Sequence, residues 1–293
     1  KPTLLVIRSL AFPSFPGTMI SMIRQPASLI ASAAVALLAI APCFAADAPI
    51  RVFILAGQSN MEGQGVVSMD DARDYNGGKG NLVWSMENSA SKEMMVCLKD
   101  AEGNWVVRDD VLISYKVNEK VRKGGLTVGF TGYGGASHIG PELGFGNVVG
   151  DRFDGPVLLI KTAWGGKSLF ADFRPPSSGG ETGPYYRQMI SEVRDALETL
   201  GDAKYELSGF VWMQGWNDMV SKEATAEYEQ NLVNLAEDIR MEFKSPELPF
   251  VIGELGNGGP AKPGTGMDTF RKAQEAGARK IPHAVFVPTS AFA

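Results

Sequence analysis

Five short apolar runs alternate along the chain with longer segments in which apolar residues recur every three or four positions. Runs that are apolar throughout predict strands covered on both faces, whereas the longer periodic segments predict amphipathic helices. The predicted strands cover residues 51–56, 155–162, 207–213, 249–255 and 284–288. The predicted helices cover residues 141–149, 185–200, 224–243 and 267–280. Because helices of this length imply parallel strands joined by right-handed crossovers, the pattern predicts a three-layer α/β/α domain with a flavodoxin-like parallel sheet.

Residues 63–137 interrupt this alternation. Two glycine-rich stretches, Asn76-Gly77-Gly78-Lys79-Gly80 and Gly132-Tyr133-Gly134-Gly135, indicate loops within them. We expect residues 63–137 to form an irregular insertion above the sheet, with a hairpin around residues 105–111.

The first 45 residues have the pattern of an export signal rather than of a folded domain. The chain begins with Lys1, and Met19 or Met22 is the expected start. A basic residue, an apolar stretch over 27–41 and the small residues Ala45 and Ala46 follow in the order typical of a secretory signal. The apolar stretch is shorter than the roughly 20 residues that span a bilayer. We therefore expect a secreted or periplasmic protein whose folded domain covers residues 46–293.

The balance of charge narrows the range of partners. The chain carries 28 Lys and Arg against 33 Asp and Glu, a net charge of −5, and residues 1–45 contain three bases and no acid. The expected mature domain therefore has a net charge of −8, which argues against nucleic acid or an anionic membrane as a partner. Signal removal leaves Cys97 as a single cysteine, which excludes an internal disulfide and a cysteine-rich metal site.

Polar and small residues follow four of the predicted strands. In a parallel sheet the carboxyl ends of the strands lie along one edge, where open α/β folds bind ligands. The four segments are Gly57-Gln58-Ser59-Asn60, Ala163-Trp164-Gly165-Gly166-Lys167-Ser168, Gln214-Gly215-Trp216-Asn217-Asp218 and Glu254-Leu255-Gly256-Asn257. We therefore expect these segments to build one site.

The residue types in these segments suit acyl transfer, which needs a nucleophile and hydrogen-bond donors for the developing oxyanion. Ser59 is the candidate nucleophile, and its own backbone N–H is the first candidate donor. Gly166, or the adjacent Gly165, lets a second backbone N–H approach the same point. Asn217 is the candidate side-chain donor, with Gln214 as a competing candidate.

Three of these segments carry a family resemblance. Gly57-Gln58-Ser59-Asn60-Met61, Trp164-Gly165-Gly166-Lys167-Ser168 and Gly215-Trp216-Asn217-Asp218 resemble the first three sequence blocks of SGNH hydrolases. More narrowly, residues 50–293 resemble the sialate O-acetylesterase-like carbohydrate esterases, close to carbohydrate esterase family six. The resemblance implies an SGNH fold and serine-dependent removal of acetyl groups from sugars. It assigns Ser59 as nucleophile and Gly166 and Asn217 as oxyanion donors.

The same resemblance implies a catalytic histidine in an Asp-x-x-His segment after the fifth strand. The chain contains two histidines, His138 and His283, and neither stands in such a segment. We expect the catalytic histidine beyond residue 293 and expect the chain as given to be inactive or severely impaired. We expect His283 to serve a structural role at the opposite edge of the sheet.

Four further residues are candidates for substrate contact: Trp164, Trp216, His138 and Glu254. The two tryptophans offer an apolar platform for a sugar ring or, equally, core packing. We expect Asp218 to hold the Ser59 turn by hydrogen bonds rather than to act as an acid.

The combined prediction is a secreted carbohydrate O-acetylesterase that forms an acyl-enzyme and acts on an acetylated sugar or polysaccharide. It needs no metal or organic cofactor, and after signal cleavage no membrane. Two alternatives remain open: a catalytically silent sugar-binding protein on an SGNH scaffold, and an esterase for lipids or thioesters.

Overall fold

The computed structural model of this protein describes residues 48–69, 77 and 79–292. The expected secretory signal lies outside these residues. Within them, no helix combines the length and the apolar character that crossing a membrane requires.

A central sheet organises the described part of the chain. In chain order the strands are β1 (Ile50–Gly57), β2 (Gly65–Val66), β3 (Val111–Val117), β4 (Lys120–Gly125), β5 (His138–Ile139), β6 (Val157–Ala163), β7 (Tyr205–Met213), β8 (Phe250–Gly253) and β9 (Ala284–Val287). The large sheet has the order β4-β3-β6-β1-β7-β8-β9. The five strands expected from the sequence are β1 and β6 to β9, which all pair in parallel. Their spatial order, second-first-third-fourth-fifth, is the flavodoxin-like order that the sequence predicted.

The helices follow the strands as the periodicity indicated. In chain order they are α1 (Ser59–Glu62), α2 (Leu82–Asn88), α3 (Pro141–Arg152), α4 (Pro184–Glu198), α5 (Trp216–Met219), α6 (Lys222–Glu242) and α7 (Gly266–Lys280). Proline occupies the first turn of α3 and of α4, where its missing N–H costs nothing. The Ser221 side chain caps α6 and the Thr265 side chain caps α7 by accepting a backbone N–H.

Helices cover both faces of the sheet, which confirms the predicted three layers. Successive residues of a strand point to opposite faces, so Ile54 of β1 packs with α4, α6 and α7, whereas Leu55 packs with α2 and α3. This two-sided burial explains why β1 is apolar over nearly its whole length.

The insertion differs from its prediction. The expected hairpin around residues 105–111 is wrong in position, because β3 and β4 form an antiparallel pair over residues 111–125. This hairpin also lies in the plane of the sheet rather than above it, since β3 pairs in parallel with β6. Alternating burial of β3 residues marks one covered face, a pattern that the glycine-rich surroundings obscured in the sequence.

Candidate active site

The carboxyl ends of β1 and β7 lie unusually close together. Gly57 ends β1 with φ of 152°, and a Cβ atom at this position would lie 2.2 Å from the carbonyl oxygen of Met213 in β7. Only glycine allows this approach. The turn that follows starts α1 at Ser59, so the serine stands at the sheet edge where the sequence predicted it.

The Ser59 side chain is half-buried, and within the described residues its hydroxyl makes no hydrogen bond. The backbone N–H groups of Ser59 and Gly166 are also not donated to any described residue. Within the described residues, the loops after β1 and β6 therefore each present a backbone N–H without an acceptor, in addition to the unpaired hydroxyl of Ser59.

Gln58 joins the serine turn to the loop after β7. Its Oε1 accepts hydrogen bonds from the backbone N–H of Gly215 at 3.0 Å and from Nε2 of Gln214 at 3.2 Å. Its Nε2 donates to Oδ1 of Asn217 at 3.4 Å. The Gln58 side chain is buried, and the sequence interpretation gave it no role. The sequence signal that could have identified Gln58 is its place as a polar residue directly after a buried strand.

The loop after β6 contacts both the Ser59 turn and the loop after β7. Asn217 donates from Nδ2 to the carbonyl oxygen of Gly166 at 2.7 Å. A Cβ atom at Gly165 would lie 3.9 Å from Cβ of Ser59. The loops after β1, β6 and β7 thus meet as expected, with Ser59, Gly166 and Asn217 on adjoining segments.

Gln214, the competing oxyanion candidate, lies beneath this arrangement. It is buried, and its Nε2 donates to Oδ2 of Asp218 at 2.5 Å and to the carbonyl oxygen of Lys167 at 3.0 Å. An amide nitrogen has two hydrogens, and together with Gln58 Oε1 three protein acceptors share them, so Gln214 has no donor left for a substrate. The geometry favours Asn217, because the second N–H of its Nδ2 donates to none of the described residues.

Asp218 supports a different loop from the one expected. Its carboxylate accepts the backbone N–H groups of Leu169 and Phe170 at 2.9 and 2.8 Å, so it holds the loop after β6 rather than the Ser59 turn. Burial raises the pKa of Asp218 to about 6, against the opposing hydrogen bonds from Gln214 and the two backbone groups.

The two tryptophans differ in their surroundings. Trp216 begins α5 and is 45% exposed, which leaves its ring available at the sheet edge. Trp164 instead packs in an aromatic cluster, with ring centroids 5.2 Å from Tyr185 and 5.9 Å from Phe173. Trp216 therefore suits contact with a ligand, and Trp164 suits support of the loop that carries Gly165 and Gly166.

Neither histidine lies against the Ser59 hydroxyl. His138 in β5 places Nδ1 2.9 Å from the hydroxyl of Ser137. His283 precedes β9 at the opposite edge of the sheet, where its Nε2 pairs with Glu247 at 2.7 Å. The structural role expected for His283 is confirmed by this position.

Glu254 anchors the chain that follows β9. Its Oε2 accepts the backbone N–H groups of Thr289 and Ser290, each at 2.9 Å, and Arg271 lies 3.6 Å from Oε1. Burial alone would raise the pKa of Glu254, but these hydrogen bonds and Arg271 lower it below its usual value. The Glu254 carboxylate is thus engaged by the chain after β9 and by Arg271, which disfavours the sugar contact expected for it.

A buried ion pair beneath the site escaped the sequence interpretation. Lys161 Nζ lies 2.6 Å from Glu142 Oε2, and both side chains are fully buried. Nζ also donates to the carbonyl oxygens of Phe130 and Glu62, at 2.8 and 3.0 Å. Burial lowers the pKa of Lys161, against the opposing effect of Glu142. The sequence signal that could have identified this pair is a lysine inside the apolar strand β6, because a buried charge needs a partner of opposite charge.

Other regions offer less chemistry. No group of three or more His, Cys, Asp or Glu suited to a metal ion occurs in the described part of the chain. A cavity of about 190 Å³ lies between the β3–β4 hairpin and α4, away from Ser59.

Comparison with known proteins identifies relatives over most of the chain. The family model described as carbohydrate esterase, sialic acid-specific acetylesterase, matches residues 49–293. A protein of Arabidopsis thaliana named a probable carbohydrate esterase is 24% identical over 237 residues, covering 77% of this chain and 75% of its own length.

Solved structures show the same fold. The crystal structure of the Arabidopsis thaliana protein matches with a TM-score of 0.54 and 20% identity, over 82% of this chain and 86% of its own. A carbohydrate acetylesterase of Xanthomonas citri matches with a TM-score of 0.53 and 15% identity, over 82% and 50%. NanS matches with a TM-score of 0.50 and 14% identity, over 82% and 77%. These neighbours confirm the SGNH-like α/β fold.

Proposed function

The chain belongs to the sialic acid-specific acetylesterase family of carbohydrate esterases, and from that premise we propose a serine mechanism centred on Ser59. Family membership supports removal of O-acetyl groups from carbohydrates in general. The observation that carries the finer proposal is the half-buried Ser59 hydroxyl on a loop that adjoins Gly165 and Gly166. Among the described residues this hydroxyl and the backbone N–H groups of Ser59 and Gly166 have no hydrogen-bond partner.

In the first half of the reaction, Oγ of Ser59 attacks the carbonyl carbon of the acetyl ester. A C–O bond forms, the carbonyl electron pair moves to oxygen, and a general base takes the hydroxyl proton. The proposed donors to the oxyanion are the N–H groups of Ser59 and Gly166 and the free hydrogen of Asn217 Nδ2. Collapse of the intermediate breaks the bond to the sugar oxygen, which takes the proton from the base.

In the second half, water attacks the acetyl group on Ser59 and passes a proton to the base. The bond between the acyl carbon and Oγ of Ser59 breaks, and this oxygen recovers its proton from the base, so the enzyme returns to its starting state. The product leaves as acetic acid, which releases its proton to water and becomes acetate. None of these steps requires a metal or an organic cofactor.

The proposed base is a histidine after the fifth strand, as the family resemblance implies. Glu254 supports this position, because it holds Thr289 and Ser290 at the same edge of the sheet as Ser59. His138 and His283 are not proposed for this role, since each side chain is engaged elsewhere.

The decisive experiment measures acetate release by the full-length protein and its Ser59→Ala variant. The substrates are an O-acetylated sialic acid, an O-acetylated glucose and acetylated xylan oligosaccharides. We expect kcat to fall by at least about 10³-fold in the variant. Ser208→Ala, at the other end of β7, is the matched control and keeps the wild-type rate. Equal rates in wild type and Ser59→Ala would remove Ser59 from the mechanism.

We also propose that the protein is exported and that its leader is cleaved after Ala45 or Ala46. The intact mass of the protein recovered from the periplasm or the medium tests this proposal. A product that retains residues before Ala45 would contradict it.

A further inference from the structure

The loop after β8 reaches the residue next to Ser59. Asn60 donates a hydrogen bond from Nδ2 to Oδ1 of Asn257 in that loop, at 3.0 Å. Asn60 is half-buried and Asn257 is exposed, so both amides of this pair can be reached from solvent. β1 and β8 are not neighbours in the sheet, because β7 lies between them. The contact therefore joins two loops that flank the loop after β7, and it brings Asn257 next to the residue that follows the candidate nucleophile.

A buried side chain fixes the backbone of the loop after β8. Arg271 of α7 donates to the carbonyl oxygens of three loop residues at 2.7, 3.2 and 2.8 Å, in the order Leu255, Asn257 and Gly259. These bonds hold the loop without using the Asn257 side chain. An exposed side chain on a backbone that is already ordered can bind a ligand at a lower cost in conformational entropy.

The two amides keep several hydrogen-bonding groups unused. In the part of the chain that the structure describes, Oδ1 of Asn60 accepts no hydrogen bond and Nδ2 of Asn257 donates none. The pair thus offers an acceptor and donors side by side. Because a sugar hydroxyl both donates and accepts, two neighbouring hydroxyls of one ring match this arrangement.

An exposed aromatic side chain belongs to the loop between the two amides. Trp216 follows the carboxyl end of β7 and is 45% exposed. A Cβ atom at Gly215 would lie 3.4 Å from Cβ of Leu255, so the loop after β7 packs against the loop after β8. Among the described residues, Trp216 has no ring or cation partner. An apolar ring beside amide groups suits a sugar, which presents C–H groups on its faces and hydroxyls at its edge.

The proposed oxyanion donors lie on the other side of Ser59. Gly166 is in the loop after β6, and Asn217 donates to its carbonyl oxygen. In the sheet, β6 and β8 lie on opposite sides of β1. An acetyl ester whose carbonyl oxygen points towards Gly166 can therefore extend its alcohol part towards Asn257.

We propose that Asn257 and Asn60 bind hydroxyl groups of the sugar whose acetyl ester Ser59 attacks, and that Trp216 contacts a face of the same ring. The ligand of this subsite is the alcohol part of the substrate, a sugar ring with two adjacent free hydroxyls. The subsite favours acetylated sugars over acetyl esters without such hydroxyls. This inference rests on the proposed function.

The first test compares two substrates of the full-length protein. One is the best mono-O-acetylated sugar of the panel above, and the other is 4-nitrophenyl acetate, whose alcohol part has no further hydroxyl. The measured quantity is the ratio of their kcat/KM values. We expect Asn257→Ala to lower this ratio by about 10-fold, mainly through a higher KM for the sugar.

Asn88→Ala is the matched control, because it removes another exposed amide, whose Nδ2 donates to a carbonyl oxygen of α2 at 2.9 Å. Its ratio should stay within about twofold of wild type. A ratio that Asn257→Ala leaves unchanged would overturn the inference. Equal losses on both substrates would also overturn it, since they indicate support of the Ser59 turn rather than contact with the sugar.

Deoxy analogues of the sugar ester separate direct contact from indirect support. In the wild type, at least one mono-deoxy analogue should lose about 10-fold in kcat/KM. The same analogue should lose little in Asn257→Ala, because the partner of the missing hydroxyl is already absent. Losses that add fully for every analogue would contradict a direct contact.

A binding measurement separates this inference from the proposed function. In the Ser59→Ala background, calorimetry gives the Kd of the mono-O-acetylated sugar with Asn257 present or replaced by Ala. We expect about 10-fold weaker binding without the amide. Equal affinities would refute the subsite even if the esterase activity is real. Conversely, this loss with no Ser59-dependent hydrolysis would refute the mechanism alone.

Discussion

Replacing Lys161 with Met should destabilise the protein more than a change at any surface ion pair. Lys161 and Glu142 are fully buried 2.6 Å apart, and Lys161 also binds the carbonyl oxygens of Phe130 and Glu62. Methionine fills much of the same volume but donates no hydrogen bond. The variant therefore leaves a buried carboxylate and two partly buried carbonyl oxygens without this donor.

The size of the loss follows from these contacts. Removing one member of a buried ion pair typically costs about 3–5 kcal/mol, because the remaining charge stays buried. The Phe130 carbonyl oxygen, left unpaired, adds about 1 kcal/mol or more. The Glu62 carbonyl oxygen keeps its hydrogen bond from the backbone N–H of Gly132. We expect a total loss of at least about 4 kcal/mol, a large share of the roughly 5–15 kcal/mol that stabilises a typical domain.

Urea unfolding followed by circular dichroism measures this loss. The matched control is Lys272→Met, which removes an exposed pair of 2.9 Å with Asp268 and should cost less than about 1 kcal/mol. The double variant Lys161→Met with Glu142→Leu should recover part of the loss, since no buried charge is then unpaired.

Two outcomes would refute this reasoning. A loss below about 1 kcal/mol in Lys161→Met would show that the pair contributes no more than a surface pair. A double variant whose loss equals or exceeds the sum of the single losses would show that Lys161 and Glu142 do not stabilise each other.

Two further predictions concern the loop after β7. Asn217→Ala should lower kcat by about 10²–10³-fold with little change in KM, because an oxyanion donor acts mainly in the transition state; equal initial rates would contradict this. The pKa of Asp218 rises from its usual 3.8 to about 6 in the folded protein, so the folded state binds more protons between these values. Its contribution to stability should therefore be present below pH 4 and be lost by up to about 3 kcal/mol as the pH rises through 6. The difference in unfolding free energy between wild type and Asp218→Asn, followed by urea titration from pH 4 to 8, should show this trend, and parallel pH curves would refute it.

Much of the candidate site was accessible from sequence because strand ends are local features. Ser59 follows an apolar strand, and the glycine loop and Asn217 follow two others, so parallel pairing alone brings them to one edge. The choice between Asn217 and Gln214 was not accessible. It depends on which amide is buried, and Gln214 lies beneath the loop with its donors engaged.

The insertion shows where local patterns were insufficient. The strand β3 has one covered face and only seven residues, and glycine-rich loops surround it. Its pairing with β6 is a contact between residues far apart in the chain. The same holds for Tyr133, which reaches Gly165 and Glu62 from a loop that carries no recognisable motif.

The sequence by itself determined the order of strands and helices, the flavodoxin-like sheet and the edge at which Ser59 stands. These features follow from the periodicity of apolar residues and from glycine positions, which act within a few residues. Only the tertiary structure decided the partners of the buried polar groups, among them Gln58, Lys161 and Asp218. The physical reason is that a buried polar atom must find its hydrogen-bond partner in space, and the chain order does not say which segment supplies it.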